Sequence, residues 1–296
     1  MAHLTKTYHQ TSYSAISSEN PVNSQVGRTV VIAGASSGIG RSIAQSFAKA
    51  SAARIIMLGR TAATLTAAAA ALSNAEARVC DISSETDVQK LWQGLDNEGV
   101  HVDVLVLNAA LIVPGSLTSS VSDIWASFET TVLGNLRMAQ HFVAQMGERS
   151  GHALINISSF MAHSNPAPAQ GAYSASKAAC ASLLQHLAEE IASSKGTIIN
   201  IHPGAIFTEA ADAYGLTKNS LPWDDETLPG DYCVWASTPA ASFLHGRFVW
   251  ANWDVEELMQ RKAEIEADNG LLKVGVQGVE HVDIGTIFSK VPERKN

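Results

Sequence analysis

Short apolar runs rich in β-branched residues recur at 29–33, 54–58, 77–80, 102–107, 153–157 and 197–201, and longer stretches of helical character separate them. Runs that are apolar without alternation read as strands buried on both faces, which is the pattern of a parallel sheet covered by helices. Residues 61–72 are almost all Ala, Leu and Thr. After a strand, such a stretch suits a helix packed on the sheet. The alternation predicts an α/β fold: an open, doubly wound parallel sheet with helices on both faces and ligands at the carboxyl ends of the strands. A closed eightfold barrel would need more repeats than are present. The pattern weakens after about residue 206. Residues 207–236 are rich in Thr, Asp, Pro and aromatics, including Tyr214, Trp223 and Trp235. That composition suits a mobile lid or substrate-binding insert, with an irregular surface excursion as the alternative. A late strand at 247–251 precedes a charged helix at 255–267.

Of the 296 residues, 46% are hydrophobic and 16% charged, enough apolar mass for a sizeable core. The formal net charge of −8 disfavours nucleic acid or an anionic membrane as the main partner. No apolar run is long enough to span a bilayer, and residues 1–10 lack the apolar core of a secretory signal. Cys80, Cys180 and Cys233 lie far apart and form neither a zinc spacing nor a disulfide framework. A reduced, cytoplasmic setting fits them. The ten histidines show no helical ligand spacing with a third ligand nearby, so no metal site is expected.

Three places carry chemistry. Gly34-Ala35-Ser36-Ser37-Gly38-Ile39-Gly40 follows the first strand and opens the first helix. Glycines let the backbone turn sharply and approach a ligand, and a helix N-terminus offers unpaired amides to a pyrophosphate. The spacing is GxxxGxG rather than GxGxxG. Ser158-Ser159 follows the fifth strand, where turn or helix capping is the bland alternative. Tyr173 and Lys177 stand four residues apart, one turn of a helix, so an ammonium lies near a phenol. A nearby cation lowers a phenol's pKa and makes it a usable acid or base.

Together with Asn108-Ala109-Ala110, these motifs resemble the short-chain dehydrogenase/reductase family from about residue 27 to 208. The arm segment Tyr13-Ser14-Ala15-Ile16 and the late Phe248-Val249-Trp250-Ala251-Asn252-Trp253 resemble a fungal subgroup. The resemblance implies a Rossmann-like sheet and a catalytic set of Ser159, Tyr173 and Lys177. Tyr173 would be the proton donor and acceptor, Lys177 would lower its pKa and bind the nicotinamide ribose, and Ser159 would bond the substrate oxygen. Ser158 is the minor alternative. Thr131 stands where many members have an asparagine that holds a water in the proton relay, and Asn135 lies one turn later.

Cofactor contacts are expected from Gly34, Ser36, Ser37, Gly38, Ile39, Gly40, Asn108, Tyr173, Lys177, Pro203, Gly204, Ile206 and Thr208. Asp81 would face the adenine or cap a helix. Gly59 replaces the acid that would bond a ribose 2′-hydroxyl, and Arg60 follows it. A guanidinium pairs with a phosphate in a forked geometry, so NADP is favoured over NAD. Arg41 reads as an exposed helix residue.

The expected activity is NADP(H)-dependent interconversion of a ketone and a secondary alcohol. Leu111, Ile112, Phe160, Met161, Ile206, Phe207 and Trp223 suggest an apolar or aromatic, secondary-metabolite-like substrate. His163 is a further candidate contact. The alternatives are a redox-neutral step such as dehydration, isomerisation or cyclisation, and a non-catalytic NADP-binding protein. The domain plan is a polar arm at 1–27 that docks on the surface or stays mobile, a dinucleotide-binding catalytic domain at 28–253 with its lid at about 206–240, and a helical extension at 254–296. The resemblance also implies a homodimer or homotetramer.

Overall fold

The apolar runs assemble into one parallel sheet. A computed structural model describes residues 4–113, 115–118, 120–164 and 170–276. The strands are β1 (Thr29–Ala33), β2 (Arg54–Gly59), β3 (Ala75–Val79), β4 (Val104–Leu107), β5 (His152–Ile157), β6 (Gly196–His202) and β7 (Arg247–Trp250). All pair in parallel, in the order β3-β2-β1-β4-β5-β6-β7. The sheet is open, which rules out the barrel. The chain reverses its direction of travel across the sheet between β1 and β4. That switch point leaves a crevice at the strands' carboxyl ends.

Alternate side chains of each strand feed two cores. Val30, Ile32, Ile55 and Met57 pack on one face against Phe47 of α1 (Gly38–Lys49) and Tyr232 of α8 (Thr227–Ala236). Val31, Ala33, Ile56 and Leu58 pack on the other, against α3 (Glu85–Asn97), α5 (Asn135–Met146) and α6 (Gly171–Glu190). The Ala-rich stretch forms α2 (Ala62–Ala70), held to the body by Leu65 and Ala69. The long central helix has two parts. α4 (Val121–Phe128) runs into α5 through a π-helical turn at Glu129–Gly134.

The extent of the lid changes. Residues 227–236, grouped with the lid by composition, are helix α8, and every residue of it after Thr227 is buried. Only the stretch from Phe207 to Glu226, with the short helix α7 (Glu209–Ala213), crosses the mouth of the crevice. The polar arm docks against the body. Ile16 is fully buried, and Tyr8 forms an antiparallel bridge with Trp253. The charged C-terminal helix is split into α9 (Val255–Gln260) and α10 (Lys262–Ala267). Residues 277–296 of the expected extension lie outside the described residues. No helix among the described residues is long and apolar enough to cross a membrane.

Candidate active site

A cleft of about 570 Å³ runs along the carboxyl edge of the sheet from β3 to β6. One end is built by the glycine turn. Gly34 has φ +75°, and a Cβ there would lie 2.9 Å from Ala109 Cα. A Cβ on Gly40 would come within 2.1 Å of Gly34 O. Only glycine fits either position. Asn108 Nδ2 donates to Gly34 O at 2.8 Å and so ties β4 to the turn across the switch point. Ser37 precedes α1 without capping it through its side chain, and Ser37, Gly38 and Ile39 line the cleft. The uncapped first turn of α1 is the kind of amide cradle that a pyrophosphate fills, so the residues present fit a dinucleotide.

Gly59, Arg60 and Asp81 line the same end. Asp81 Oδ1 accepts from Ser83 N at 3.0 Å and Ser83 Oγ at 2.7 Å, whereas Ser84 is the residue that caps α3. Asp81 therefore braces the loop after β3 and is not the helix cap. Arg41 pairs with Glu209 at 3.3 Å, joining α1 to the lid helix α7.

The other end gathers Ser159, Tyr173 and Lys177. Ser159 is nearly buried, and its Oγ accepts from Met161 N at 3.2 Å, capping the short turn Phe160–Ala162. The hydroxyl expected to bond substrate is thus also a cap. Burial pushes the Tyr173 phenol up to about 12, and the hydrogen bond from Ser159 acts in the opposite sense. Contact with Tyr173 favours Ser159 over its neighbour. Ser158 Oγ is buried without a partner among the described residues. Lys177 is 2% exposed, and Nζ donates to Ile157 O at 2.5 Å. Burial pulls its pKa down to about 8. Nζ lies 5.8 Å from the Tyr173 ring centroid. The proximity expected from the spacing is met, but in the free protein desolvation is the leading cause acting on the phenol, whose pKa rises instead of falling.

Thr131 is fully buried. Its Oγ1 accepts from Leu111 N at 3.3 Å, and its main-chain O accepts from Asn135 Nδ2 at 2.8 Å. Thr130, not Thr131, lines the cleft. Pro203, Gly204, Ile206 and Thr208 form the wall beyond β6, and Thr208 Oγ1 caps α7 through Ala211 N.

Ile112, Phe160, Met161, Ile206 and Trp223 line the cleft as expected, whereas Leu111 and Phe207 do not; Phe207 packs edge-on against Trp223. His163 stands behind the wall and accepts from Trp250 Nε1 at 3.2 Å. The histidine in the cleft is His202, set edge-on to Phe160 and Trp250 and held by burial near pKa 3, hence neutral. Its place beside Pro203 was the available signal. Tyr214, named above only among the aromatics of the insert, also lines the cleft. Its hydroxyl donates to Ile112 O at 2.8 Å and links the lid to the loop after β4. Among the described residues, no cluster of three or more His, Cys, Asp or Glu could hold a metal.

The chain is similar to known proteins in sequence and in fold. The family model described as short chain dehydrogenase matches residues 28–219. A short chain dehydrogenase/reductase of Claviceps purpurea (strain 20.1) is 38% identical over 284 residues, covering 92% of this chain and 94% of that protein. The short chain dehydrogenase/reductase AacuD of Aspergillus aculeatus is 35% identical over 278 residues, covering 92% and 96%. The Pseudomonas aeruginosa RhlG/NADP active-site complex superimposes with a TM-score of 0.71 at 24% identity, covering 78% of this chain and 96% of that one. A 7α-hydroxysteroid dehydrogenase complexed with NADH and 7-oxo glycochenodeoxycholic acid gives 0.72 at 24% identity, covering 78% and 95%. At that identity the two structures testify to the fold alone.

Proposed function

Since the chain belongs to the short-chain dehydrogenase/reductase family of nicotinamide-dependent oxidoreductases, we propose that it reduces a ketone to a secondary alcohol with NADPH, or runs the reverse reaction. The observation that carries this reading is the Ser159–Tyr173 pair, set at one end of a cleft whose other end is an uncapped helix N-terminus followed by Arg60. A phenol pushed up to about 12 is protonated at neutral pH and suited to give a proton.

The substrate oxygen would sit between Ser159 Oγ and Tyr173 Oη. Bound NADPH supplies the hydride that the carbonyl carbon receives. Ser159 polarises the carbonyl, and Tyr173 gives its proton to the oxygen as the carbon–oxygen double bond becomes single. Lys177, still largely protonated at pH 7, stabilises the phenolate left behind. Arg60 at the far end supports NADP over NAD, since its guanidinium can grip a 2′-phosphate.

Phe160, Met161, Ile206, Trp223 and Tyr214 make the substrate end apolar and aromatic. They favour a flat, apolar or aromatic ketone of the secondary-metabolite type. Exposed Trp125, Leu133 and Leu183 on α4, the π-turn and α6 support self-association as a homodimer or homotetramer. Cys80, Cys180 and Cys233 are free and buried, in keeping with a cytoplasmic setting.

Purified protein is expected to consume NADPH with members of an aromatic ketone panel. Tyr173→Phe should lower kcat by about a thousandfold or more while leaving NADPH binding intact. Turnover retained in that variant would overturn the mechanism.

A further inference from the structure

Three separate parts of the chain converge on one buried carboxylate beneath the Pro203–Gly204 wall. The first is the wall itself. After β6 the chain turns at Gly204, with φ +94°. The second is the point where the lid rejoins the body at Asp224, a residue only 8% exposed. Asp224 grips Ala205 from both sides. Its N–H donates to Ala205 O at 2.8 Å, and its Oδ2 accepts from Ala205 N at 2.8 Å. Ile206 pairs with Asp224 in an isolated parallel bridge. A Cβ on Gly204 would stand 2.7 Å from Oδ2, so glycine is what lets the carboxylate come this close.

The third part is the arm. Asp224 Oδ2 also accepts from Asn252 Nδ2 at 3.0 Å. Asn252 is fully buried, and the same Nδ2 donates to His9 O at 2.9 Å, while His9 N donates to Asn252 O at 2.8 Å. Asp225 N donates to Gln10 O at 2.7 Å. His9 is fixed in turn by stacking on Tyr13 at 3.5 Å and by pairing with Asp254 at 2.8 Å. The arm and the segment after β7, two stretches the catalytic set does not use, thus hold a clamp on the cleft wall.

Removing a carboxylate from water carries a large penalty, offset here by charge-assisted bonds from N–H donors. What those bonds achieve is a preformed loop. The sheet order says which part of a ligand that loop would meet. Arg60 follows β2 and Asp81 follows β3 at one edge, and Ala205 follows β6 near the other. A dinucleotide held by its 2′-phosphate at Arg60 would extend its nicotinamide half toward the residues after β5 and β6.

We infer that Asp224 is a positioning residue for the nicotinamide half of the cofactor, held in place by the N-terminal arm through Asn252. The inference rests on the NADP reading above. Without the clamp, residues 203–206 must be ordered at the moment of binding, and affinity falls by the cost of that ordering.

The test is calorimetric binding to the full chain of NADPH and of 2′-phospho-ADP-ribose, which lacks the nicotinamide. Asp224→Ala should weaken NADPH about tenfold or more and 2′-phospho-ADP-ribose by less than about threefold. Asp224→Asn keeps an oxygen for Ala205 N and should stay within about threefold of wild type for both. Asn252→Ala should fall between. Equal losses for the two ligands, or no loss, would overturn the clamp. Should Asp224→Ala fail to fold, hydrogen exchange on the wild type decides. The Ala205 amide should be strongly protected without ligand, and rapid exchange there sinks the inference. A wild type that binds NADPH alongside an Asp224→Ala variant that binds it equally well removes the clamp alone. A wild type that binds neither ligand removes the NADP reading and the clamp with it.

Discussion

Lys177 is held in the cleft against its own desolvation. Its amine is buried, its pKa falls from 10.5 to about 8, and it keeps one bond, to Ile157 O. A lysine whose folded pKa lies below its unfolded value binds its proton less well when folded. Stability therefore falls as pH drops from about 10.5 to about 8 and stays low beneath that. The gap sets an upper limit of about 3 kcal/mol on the cost at neutral pH. Lys177→Met removes that cost but leaves Ile157 O unpaired, which returns about 1 kcal/mol or more. We expect it to raise unfolding free energy by about 1–2 kcal/mol near pH 7, with the gain vanishing above pH 10.5, while turnover is lost. Urea denaturation at pH 7 and 10.5 checks this, and a pH-independent difference would remove burial as the cause. Arg60 makes a second test at this scale. It lines the phosphate end without an ion pair among the described residues. Arg60→Ala should weaken NADPH about tenfold or more and leave NADH within about threefold, as read by fluorescence titration. Spacing and order along the chain disclosed that Ser159, Tyr173 and Lys177 would gather in one cleft, because their proximity is local or anchored to strand ends. The direction of Tyr173's pKa was hidden, because desolvation depends on everything packed around it.

At the scale of elements, α8 marks where local composition misled. Leu228, Tyr232, Cys233, Val234 and Trp235 are buried all around the helix. Such a helix has no polar face and shows no stripe to read. Pro229 and Gly230 look like breakers in the sequence. Pro229 falls in the first turn of α8, where its missing N–H is harmless. Gly230 permits close approach to α1, since a Cβ there would lie 2.5 Å from Ser46 Oγ and 3.0 Å from Ser42 O. Gly230→Ala should therefore destabilise the protein by about 1–3 kcal/mol, despite the better helix propensity of alanine. A denaturation midpoint at or above wild type would show that α1 and α8 part without penalty. The π-turn at Glu129–Gly134 was equally hidden. A Cβ on Gly134 would lie 2.8 Å from Ile82 O, so the irregularity answers a contact with the loop after β3 that no local pattern encodes.

Across the whole molecule, most strands were legible because they are buried, nearly continuous apolar runs, whereas β3 carries Glu76 and Arg78 and is only half-buried; the doubly wound architecture followed from the alternation of strands with helices. The anchors that dock the arm, Asn252, Asp231 and Trp253, were not legible, since they lie more than 200 residues away. The two edges of the sheet differ: the candidate cofactor and substrate residues stand at the carboxyl edge, and the amino edge carries a histidine pair. His101 and His152 face each other through Nε2 at 2.8 Å. His152 Nδ1 meets Lys195 O at 3.2 Å, and a carbonyl can only accept, so Nδ1 carries the hydrogen and Nε2 accepts from His101. Protonating His152 puts two N–H groups face to face. Burial is the leading cause that lowers both pKa values from 6.5; Arg149 pushes the same way on both, and Asp103 opposes. A histidine whose folded pKa is depressed gives stability above its unfolded pKa and loses it as pH falls through the folded value. The melting temperature should therefore drop as pH falls from 7 to 5. Replacing both histidines with Gln, an amide pair that can still bond, should flatten part of that drop. The six residues of β5 separate the pair from the cleft by about 20 Å, so the same variant should bind NADPH as wild type does at pH 7. An acid profile unchanged by the double substitution would place the lability at the carboxyl edge, with His202, and tie acid stability to the cleft itself.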